Sequence, residues 1–298
     1  MKVYGYSMDK VRVIAPAKLN LSLDITGVDE KGYHLMDMIM QAVSVFERVT
    51  LSKRDEGITL SSNARYIPTD ERNLAYKAAL AFFSHTGIKG GADIYIKKKV
   101  PIKAGMGGGS ADRAAVLVGL DRLYETGLSV KELCRLGAGV GSDVPFMIVG
   151  GTRRVGGVGD VIKPCPPLPP CRLVICMPYK GVSTPAAFAK YDEMGEKTRV
   201  DTDGLVAAIK NRDIEKAALL MANDLEKAAD LPDIFTIKDF LKENGAVNAV
   251  MTGSGRAVFG VFTDEEKAQK ARRSAKGICR SVFLAGPVPF GRKVESRE

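Results

Sequence analysis

Apolar and polar residues alternate along much of the N-terminal part of the chain. The segments "VRVIAP" (11–16) and "LNLSLDITG" (19–27) show this alternation, and "IMQAVSVFERVTLSKR" (39–54) resumes it after a polar turn at 29–36. Successive side chains of a strand point to opposite faces of the sheet, so a period of two indicates β-strands. We therefore predict strands at 11–16 and 19–27, and one or two more within 39–54.

The spacing of apolar residues becomes helical between Thr69 and Gly87. Thr69 or Asp70 can cap the start of this helix, and the glycine can end it. A strand at 91–102 follows, and it leads through a glycine-rich loop into a helix at about 110–126. This order predicts a strand, a loop and a helix in direct succession.

The second half of the chain mixes helices and strands without a regular alternation. A short helix with Ser129 as its cap is predicted, and the apolar residues after Asp143 are predicted to form a strand with tight turns. A strand at 172–178, helices within 183–245, and a strand, glycine turn, strand and helix within 246–275 follow. Because no repeating strand–helix–strand unit is present, the predicted class is α+β.

A proline cluster marks the point where the composition changes. The segment "KPCPPLPPC" covers residues 163–171, and prolines at this density favour a connecting segment over a helix or strand. We therefore predict an N-terminal lobe at 1–162, which contains the glycine-rich loop, and a C-terminal lobe at 163–298.

Composition narrows the class of protein without choosing a function. The chain has 298 residues, a net charge of +9 and 45% hydrophobic residues, which are typical of a globular protein of about two domains. It has no apolar run long enough to span a membrane and no signal-type N-terminus, so the expected location is the cytoplasm. Cys165 and Cys171 match no common zinc spacing, and all five cysteines are expected to be reduced.

The segment "PIKAGMGGGSADRAA" (101–115) is the strongest chemical signal in the sequence. It places four glycines within residues 105–109, directly before a serine and an apolar helix. Glycine lets the backbone approach a ligand closely, and a helix N-terminus offers unpaired N–H groups, so the combination suits a phosphate. It is neither a Walker A loop nor a dinucleotide fingerprint. A tight turn with a good helix cap is the alternative.

Four further sites are weaker when each is taken alone. Lys18 and Asn20 share one face of a strand, although the lysine can also reach water from the strand end. Asp143 can be an ordinary turn aspartate. Tyr33 and His34 offer a ring for stacking and an imidazole, or they belong to a surface turn. The turn Gly253–Ser254–Gly255 is equally consistent with a hairpin.

Taken in order, these segments resemble the GHMP kinase superfamily. The residues that carry the resemblance are "PAKLNLSLDITG", "GYHLMDMIMQ", "VPIKAGMGGGSADRAA", "GSDVPFMIVGG" and "VMTGSGRAVFGVF", and they extend from about Val13 to Phe262. The segments "PAKLNL", "DEKGYH" and "GSDVPF" resemble the branch whose acceptor is a cytidylylated methylerythritol in the non-mevalonate isoprenoid pathway. The resemblance implies a two-lobed fold with a central cleft, in which ATP and Mg²⁺ serve phosphoryl transfer to an alcohol.

The resemblance also implies roles for individual residues. Asp143 would accept the hydroxyl proton, Lys18 would pair with it, and Asn20 would hold the polyol. Tyr33 and Phe188 would enclose the cytosine, His34 would bond its edge, and Gly253, Ser254 and Gly255 would close over the substrate phosphates. The residues expected to bind ATP are Asn73, Pro101, Ile102, Lys103, Ala104, Gly105, Met106, Gly107, Gly108, Gly109, Ser110 and Ala111. The magnesium ligands are unknown at this stage.

Some points depart from the family pattern or stay open. Arg113 occupies a position where the family usually has a small residue, and it either points outward or contacts nucleotide phosphate. Three alternatives remain: a kinase for another small alcohol such as mevalonate or homoserine, a binding protein without activity, and a nucleic-acid binder. The short "KKK" at 97–99 gives the last of these little support. We expect no nucleic-acid or membrane partner, and a monomer or weak homodimer.

Overall fold

The structure is a computed structural model that describes residues 9–181, 183–195 and 200–295. The N-terminal half contains β1 (Lys10–Val28), β2 (His34–Arg54), β3 (Gly57–Ser62), α1 (Leu74–Thr86), β4 (Gly91–Lys97), α2 (Gly108–Tyr124), α3 (Val130–Ala138), α4 (Val144–Val149), β5 (Thr152–Gly157) and β6 (Val161–Pro164). The C-terminal half contains β7 (Arg172–Met177), α5 (Thr184–Glu193), α6 (Thr202–Lys210), α7 (Ile214–Leu220), α8 (Leu225–Ala228), α9 (Pro232–Glu243), β8 (Asn248–Met251), β9 (Val258–Phe262), α10 (Glu265–Ala275), β10 (Ser281–Ala285) and β11 (Lys293–Glu295).

The strands form two sheets, which confirms the α+β class. The first sheet has the order β11–β1–β2–β4–β3, with β5 and β6 attached beside β2. Within the described residues, β3 and β4 form its one parallel pair. The second sheet is antiparallel, with the order β10–β7–β9–β8. Because β11 pairs with β1, the end of the chain returns to the first sheet. The lobe boundary at residue 162 stays a prediction.

The two long strands β1 and β2 link the two hydrophobic cores. Val13 and Ala15 pack in the core beneath α2, whereas Leu19 and Leu21 pack with the second sheet. The pairing of β1 with β2 shifts at three irregularities, the first between Pro16 and Ala17, and such bulges bend a strand. The two predicted strands at 11–16 and 19–27 are therefore one continuous strand that serves both cores.

Two local predictions were wrong. The first helix begins at Leu74, because the side chain of Asn73 accepts a hydrogen bond from the N–H of Ala75, so neither Thr69 nor Asp70 caps it. The apolar run after Asp143 is the short helix α4. All but the last of its residues are buried, and a short run that is apolar on every side does not distinguish a helix from a strand.

Other local predictions were confirmed. Ser129 caps α3 through a complete capping box with Glu132, and Gly87 ends α1 in the left-handed conformation with φ of 67°. None of the helices in the described part of the chain is both long enough and apolar enough to cross a membrane.

Candidate active site

The glycine-rich loop joins β4 to the N-terminus of α2 and lies against the turn between β8 and β9. Gly105 and Gly107 adopt left-handed φ values of 75° and 68°. A Cβ at Gly105 would lie 2.3 Å from the carbonyl oxygen of Thr252, and one at Gly107 would lie 2.1 Å from the Cε of Met147. Gly105 therefore requires glycine for its conformation and for space, whereas Gly107 requires it for its conformation, since the flexible end of Met147 can move.

Backbone hydrogen bonds hold this loop from both sides. The N–H of Lys18 donates to the carbonyl of Met106 at 3.0 Å, and the N–H of Ala257 donates to the carbonyl of Ala104 at 3.3 Å. One bond comes from β1 and the other from the turn between β8 and β9. These bonds fix the loop directly before the N-terminus of α2, and a helix N-terminus is a position that binds phosphate in other proteins.

Lys18, Asn20 and Asp143 meet beside the loop. The ammonium of Lys18 donates to Oδ1 of Asn20 at 2.5 Å and lies 3.8 Å from Oδ2 of Asp143. The backbone N–H of Asn20 donates to the hydroxyl of Thr252 at 2.9 Å, which fixes this part of β1 against the second sheet. The strand face shared by Lys18 and Asn20 is as predicted, and α4 brings Asp143 to it from a distant part of the sequence.

These groups surround a cavity of about 690 Å³. Its lining residues are Lys18, Lys103, Gly105, Gly107, Asp143, Gly181, Ser183, Thr184, Pro185, Gly253, Ser254, Gly255 and Arg256. Three of these side chains are cationic and one is a carboxylate. The cavity therefore suits an anionic ligand with a hydroxyl that can approach Asp143.

A second cavity of about 470 Å³ adjoins the first and shares Lys103 and Arg256 with it. Its other lining residues are Tyr66, Lys99, Pro101, Ile102, Met177, Arg280, Ser281 and Phe283. Aromatic and aliphatic side chains beside lysine and arginine suit a flat base that is linked to phosphates. The sequence indicated the three residues at 101–103 and gave no signal for the others.

The His34 and Phe188 side chains form a separate aromatic contact. Their ring centroids lie 4.7 Å apart, and Nε2 of His34 is 2.7 Å from Oδ1 of Asp192. Tyr33 is 63% exposed, in the turn before β2. The structure therefore brings His34 and Phe188 together and leaves Tyr33 at the surface, and it adds Asp192, which the sequence analysis missed.

Asn73 and Ser110 are already engaged in local contacts. The amide of Asn73 donates to the carbonyl of Pro68 at 2.7 Å and caps α1, and Asn73 lines neither of the two cavities. The hydroxyl of Ser110 accepts a hydrogen bond from Nη2 of Arg113 at 3.0 Å. The role of Asn73 in nucleotide binding stays a prediction, and the structure gives it no support.

A buried cluster of charges lies behind the glycine loop. The ammonium of Lys98 donates to Oε1 of Glu47 and to Oδ2 of Asp112, at 2.7 Å for the latter. Burial and the nearby Asp112 raise the pKa of Glu47 to about 7, although Lys98 opposes the shift. Burial also raises the pKa of Asp112. The cluster joins the start of α2 to β2 and to the segment after β4, and so supports the loop.

Comparison with known proteins assigns the chain to a family. The model of the GHMP kinases N terminal domain matches residues 73–151, and that of the GHMP kinases C terminal domain matches residues 205–280. A 4-diphosphocytidyl-2-C-methyl-D-erythritol kinase of Lachnospira eligens is 37% identical over 93% of this chain and 98% of its own length. One of Clostridium perfringens is 40% identical over 90% of this chain and 94% of its own length. The chain belongs to the 4-diphosphocytidyl-2-C-methyl-D-erythritol kinase family of GHMP kinases.

Solved structures agree with membership of this kinase family. A crystal structure of a 4-(cytidine 5'-diphospho)-2C-methyl-D-erythritol kinase has a TM-score of 0.80, with 28% identity over 93% of this chain and 98% of that one. A homoserine kinase from Cytophaga hutchinsonii, 22% identical over 99% of this chain and 100% of that one, has a TM-score of 0.78. The second match supports the fold alone, since kinases for different alcohols share it.

Some of the residues that line the two cavities belong to none of the motifs recognised in the sequence. Tyr66, Arg280 and Phe283 line the second cavity from segments without glycine or charge patterns that single them out. Arg256 directly follows the Gly253–Ser254–Gly255 turn, and this adjacency is a signal in the sequence that could have indicated it.

Proposed function

We propose that this protein transfers the γ-phosphoryl group of ATP to the 2-hydroxyl of 4-diphosphocytidyl-2-C-methyl-D-erythritol, in the non-mevalonate isoprenoid pathway. The observation that carries the proposal is the convergence of Lys18, Asp143, the glycine loop and the Gly253–Gly255 turn on one cavity. Membership of the kinase family and the adjoining aromatic and basic cavity support it.

ATP occupies the second cavity and reaches the first with its phosphates. The adenine lies among the residues around Tyr66 and Phe283, and the phosphates pass Lys103 and Arg256, which line both cavities. The γ-phosphoryl group then lies at the glycine loop and the first turn of α2. Exposed N–H groups and the helix dipole favour negative charge there.

The acceptor enters from the opposite side, where His34 and Phe188 form its base pocket. An aromatic face suits a cytosine ring, and the imidazole of His34, held by Asp192, is available to bond the edge of that ring. In this proposal Tyr33 swings from its exposed turn to cover the other face of the cytosine. Asn20 contacts the polyol.

Phosphoryl transfer at this site needs positioning and neutralisation of charge more than covalent chemistry. The acceptor oxygen forms a bond to the γ-phosphorus, the bond from that phosphorus to the β–γ bridging oxygen breaks, and ADP leaves with the electron pair. Asp143 accepts or orients the hydroxyl proton, and Lys18, 3.8 Å away, offsets negative charge on the transferring group.

Magnesium fits this site as part of its complex with ATP. No group of three or more histidine, cysteine or acidic side chains in the described part of the chain could hold a metal ion. Mg²⁺ is commonly held by one or two carboxylates together with substrate phosphates, so a dedicated protein cluster is not required. Asp143 supplies a carboxylate in the lining of the first cavity, and bound Mg²⁺ would neutralise charge on the phosphates.

The test is ADP release with Mg·ATP and a panel of acceptors, with product phosphorylation followed by ³¹P NMR. Turnover with the cytidylylated methylerythritol, and not with mevalonate, homoserine or galactose, is the expected result. Turnover with another acceptor would retain the kinase assignment and refute the proposed substrate. The cytoplasmic location, the absence of nucleic-acid partners and the monomer or weak homodimer stay predictions.

A further inference from the structure

Arg113 links two parts of the active site that are distant in sequence. It lies on the first turns of α2, three residues after Ser110, and its side chain is partly buried. Nε donates to the carbonyl of Gly109 at 3.1 Å, Nη2 donates to the hydroxyl of Ser110 at 3.0 Å, and Nη1 donates to the carbonyl of Val140. One guanidinium therefore bonds the glycine loop and the turn that leads to Asp143.

The turn before Asp143 receives its side-chain support from this arginine. Val140 follows the C-terminus of α3, where backbone carbonyls lack helical partners, and its carbonyl accepts from Arg113. The guanidinium also packs against the backbone of Gly141, since a Cβ there would lie 2.2 Å from Nη1. The glycine at 141 and the arginine at 113 thus fit each other closely.

The glycine loop has several other supports. Backbone bonds from Lys18 and Ala257 hold it, and the cluster around Lys98 fixes Asp112 on the same helix. Loss of Arg113 therefore leaves the loop braced and removes a side-chain tie to the turn that carries Asp143. Its effect is expected at the proton-accepting side of the site, rather than at the phosphate side.

Arg113 and Asp143 also interact through their charges. Burial lowers the pKa of Arg113, and the carboxylates of Asp143 and Asp112 act in the opposite direction. Arg113 is absent from the lining of the 690 Å³ cavity, whereas Asp143 belongs to it. The guanidinium therefore acts from behind Asp143 and makes its hydrogen bonds to protein oxygens.

We infer that Arg113 is a positioning residue, which holds the turn 140–143 against the glycine loop so that Asp143 is set at the correct distance from the acceptor hydroxyl. This inference rests on the proposed role of Asp143. Displacement of a reacting group by about 1 Å can lower a rate by about 100-fold. The sequence raised two other possibilities, an outward side chain or a contact with nucleotide phosphate. If Arg113 contacted phosphate, its loss would instead weaken ATP binding.

The experiment is a double-mutant cycle between Arg113→Ala and Asp143→Asn, with kcat and the KM for ATP measured in each protein. We expect R113A to lower kcat by about 10- to 100-fold with the KM for ATP within about twofold of the wild type. In the D143N background, the same substitution is expected to cause no further loss. Arg122→Ala, on the exposed side of the same helix, is the matched control and is expected to behave like the wild type.

Two further variants distinguish the hydrogen bonds of Arg113 from its charge and from its contribution to folding. Arg113→Lys keeps the positive charge, but one ammonium cannot reproduce the three separate bonds of the guanidinium, so most of the loss in kcat is expected to persist. Arg113→Met keeps the packing of the stem and replaces R113A in the cycle if the alanine variant does not fold. Full activity of R113K would overturn the inference.

Other outcomes would also overturn it. These are an unchanged kcat in R113A, an equal loss in the D143N background, or a raised KM for ATP with kcat intact. Failure of the proposed function is a separate result. It would appear as a wild-type protein without turnover on the cytidylylated acceptor, or as full activity of D143N alone.

Discussion

Two buried lysines, Lys98 and Lys18, have very different surroundings. Lys98 is enclosed, with a side chain that is 3% exposed and two carboxylate partners, Glu47 at 0% and Asp112 at 9%. Lys18 is 7% exposed, but its carboxylate partner Asp143 is 32% exposed and 3.8 Å away. The first lysine is paired with two carboxylates inside the protein, and the second lines a cavity.

The difference indicates which lysine supports the fold and which one meets the ligand. Two carboxylates close to Lys98 outweigh the effect of burial and raise the pKa of its ammonium, so it is held in the charged form. Lys98 is bonded to two buried carboxylates and lines neither cavity, so it is not placed to meet a substrate. Lys18 is bonded closely to one neutral oxygen, that of Asn20, and can serve a phosphate.

The largest expected effect comes from breaking the closed cluster. Lys98→Met leaves Glu47 and Asp112 buried together without a cation, which is expected to lower the free energy of unfolding by about 3–5 kcal/mol. Urea unfolding measures it. Lys97→Met, at the exposed neighbouring position, is the control and should stay within about 0.5 kcal/mol of the wild type. Equal stabilities of the two variants would show that the cluster is not a support.

The next effect is on catalysis. Lys18→Met is expected to lower kcat by about 100- to 1,000-fold, because an electrostatic contact to the transferring group is lost. Thermal unfolding should show far less loss of stability than in Lys98→Met, since Asp143 can be solvated by the cleft. A Lys18 variant with a normal kcat, or with the stability loss of the Lys98 variant, would remove the distinction between the two lysines.

A smaller effect is expected in the dependence of stability on pH. The pKa of Glu47 is raised to about 7 in the folded protein, so the folded state binds more protons than the unfolded state above pH 4.5. This contribution to stability is present below pH 4.5 and is lost as the pH rises through 7. Between pH 5.5 and 8 the cost is roughly 2 kcal/mol.

Urea unfolding of the wild type and Glu47→Gln at several pH values measures how the titration of Glu47 affects the free energy of unfolding. The glutamine cannot titrate, so the stability of that variant should decline less steeply from pH 5.5 to 8. Asp224, whose pKa burial raises to about 6, titrates in both proteins and cancels in the difference. Asp112 shares Lys98 with Glu47, so the two carboxyl groups titrate together and the difference reports on the pair. Parallel curves would show that Glu47 does not titrate in this range.

The smallest effect concerns the acceptor pocket. Phe188→Ala is expected to raise the KM for the cytidylylated acceptor about 10-fold, because one stacking face is lost, and to leave the KM for ATP unchanged. Steady-state kinetics with each substrate varied in turn measure both constants. Phe235→Ala, a 42% exposed phenylalanine on α9, is the control. An equal rise in both KM values would place Phe188 outside a specific base pocket.

The sequence predicted the elements with strong periodicity and the loop with unusual composition. The strand segments on either side of Lys18, the helix after Ser129 and the glycine turn before α2 have local causes, and each was predicted. The helix after Asp143 was not, because its burial on nearly every side comes from neighbours that are distant in sequence. Arg113 and the Glu47–Lys98–Asp112 cluster depend on the same kind of long-range contact.

The most direct test of this account is the single-turnover rate of Asp143→Asn with ATP and the cytidylylated acceptor both saturating. We expect the chemical step to fall by about 100-fold or more, with the dissociation constant of ATP unchanged, because the asparagine cannot accept the hydroxyl proton. A rate near that of the wild type, with both substrates bound, would contradict the assignment of Asp143 and the catalytic role given to this cleft.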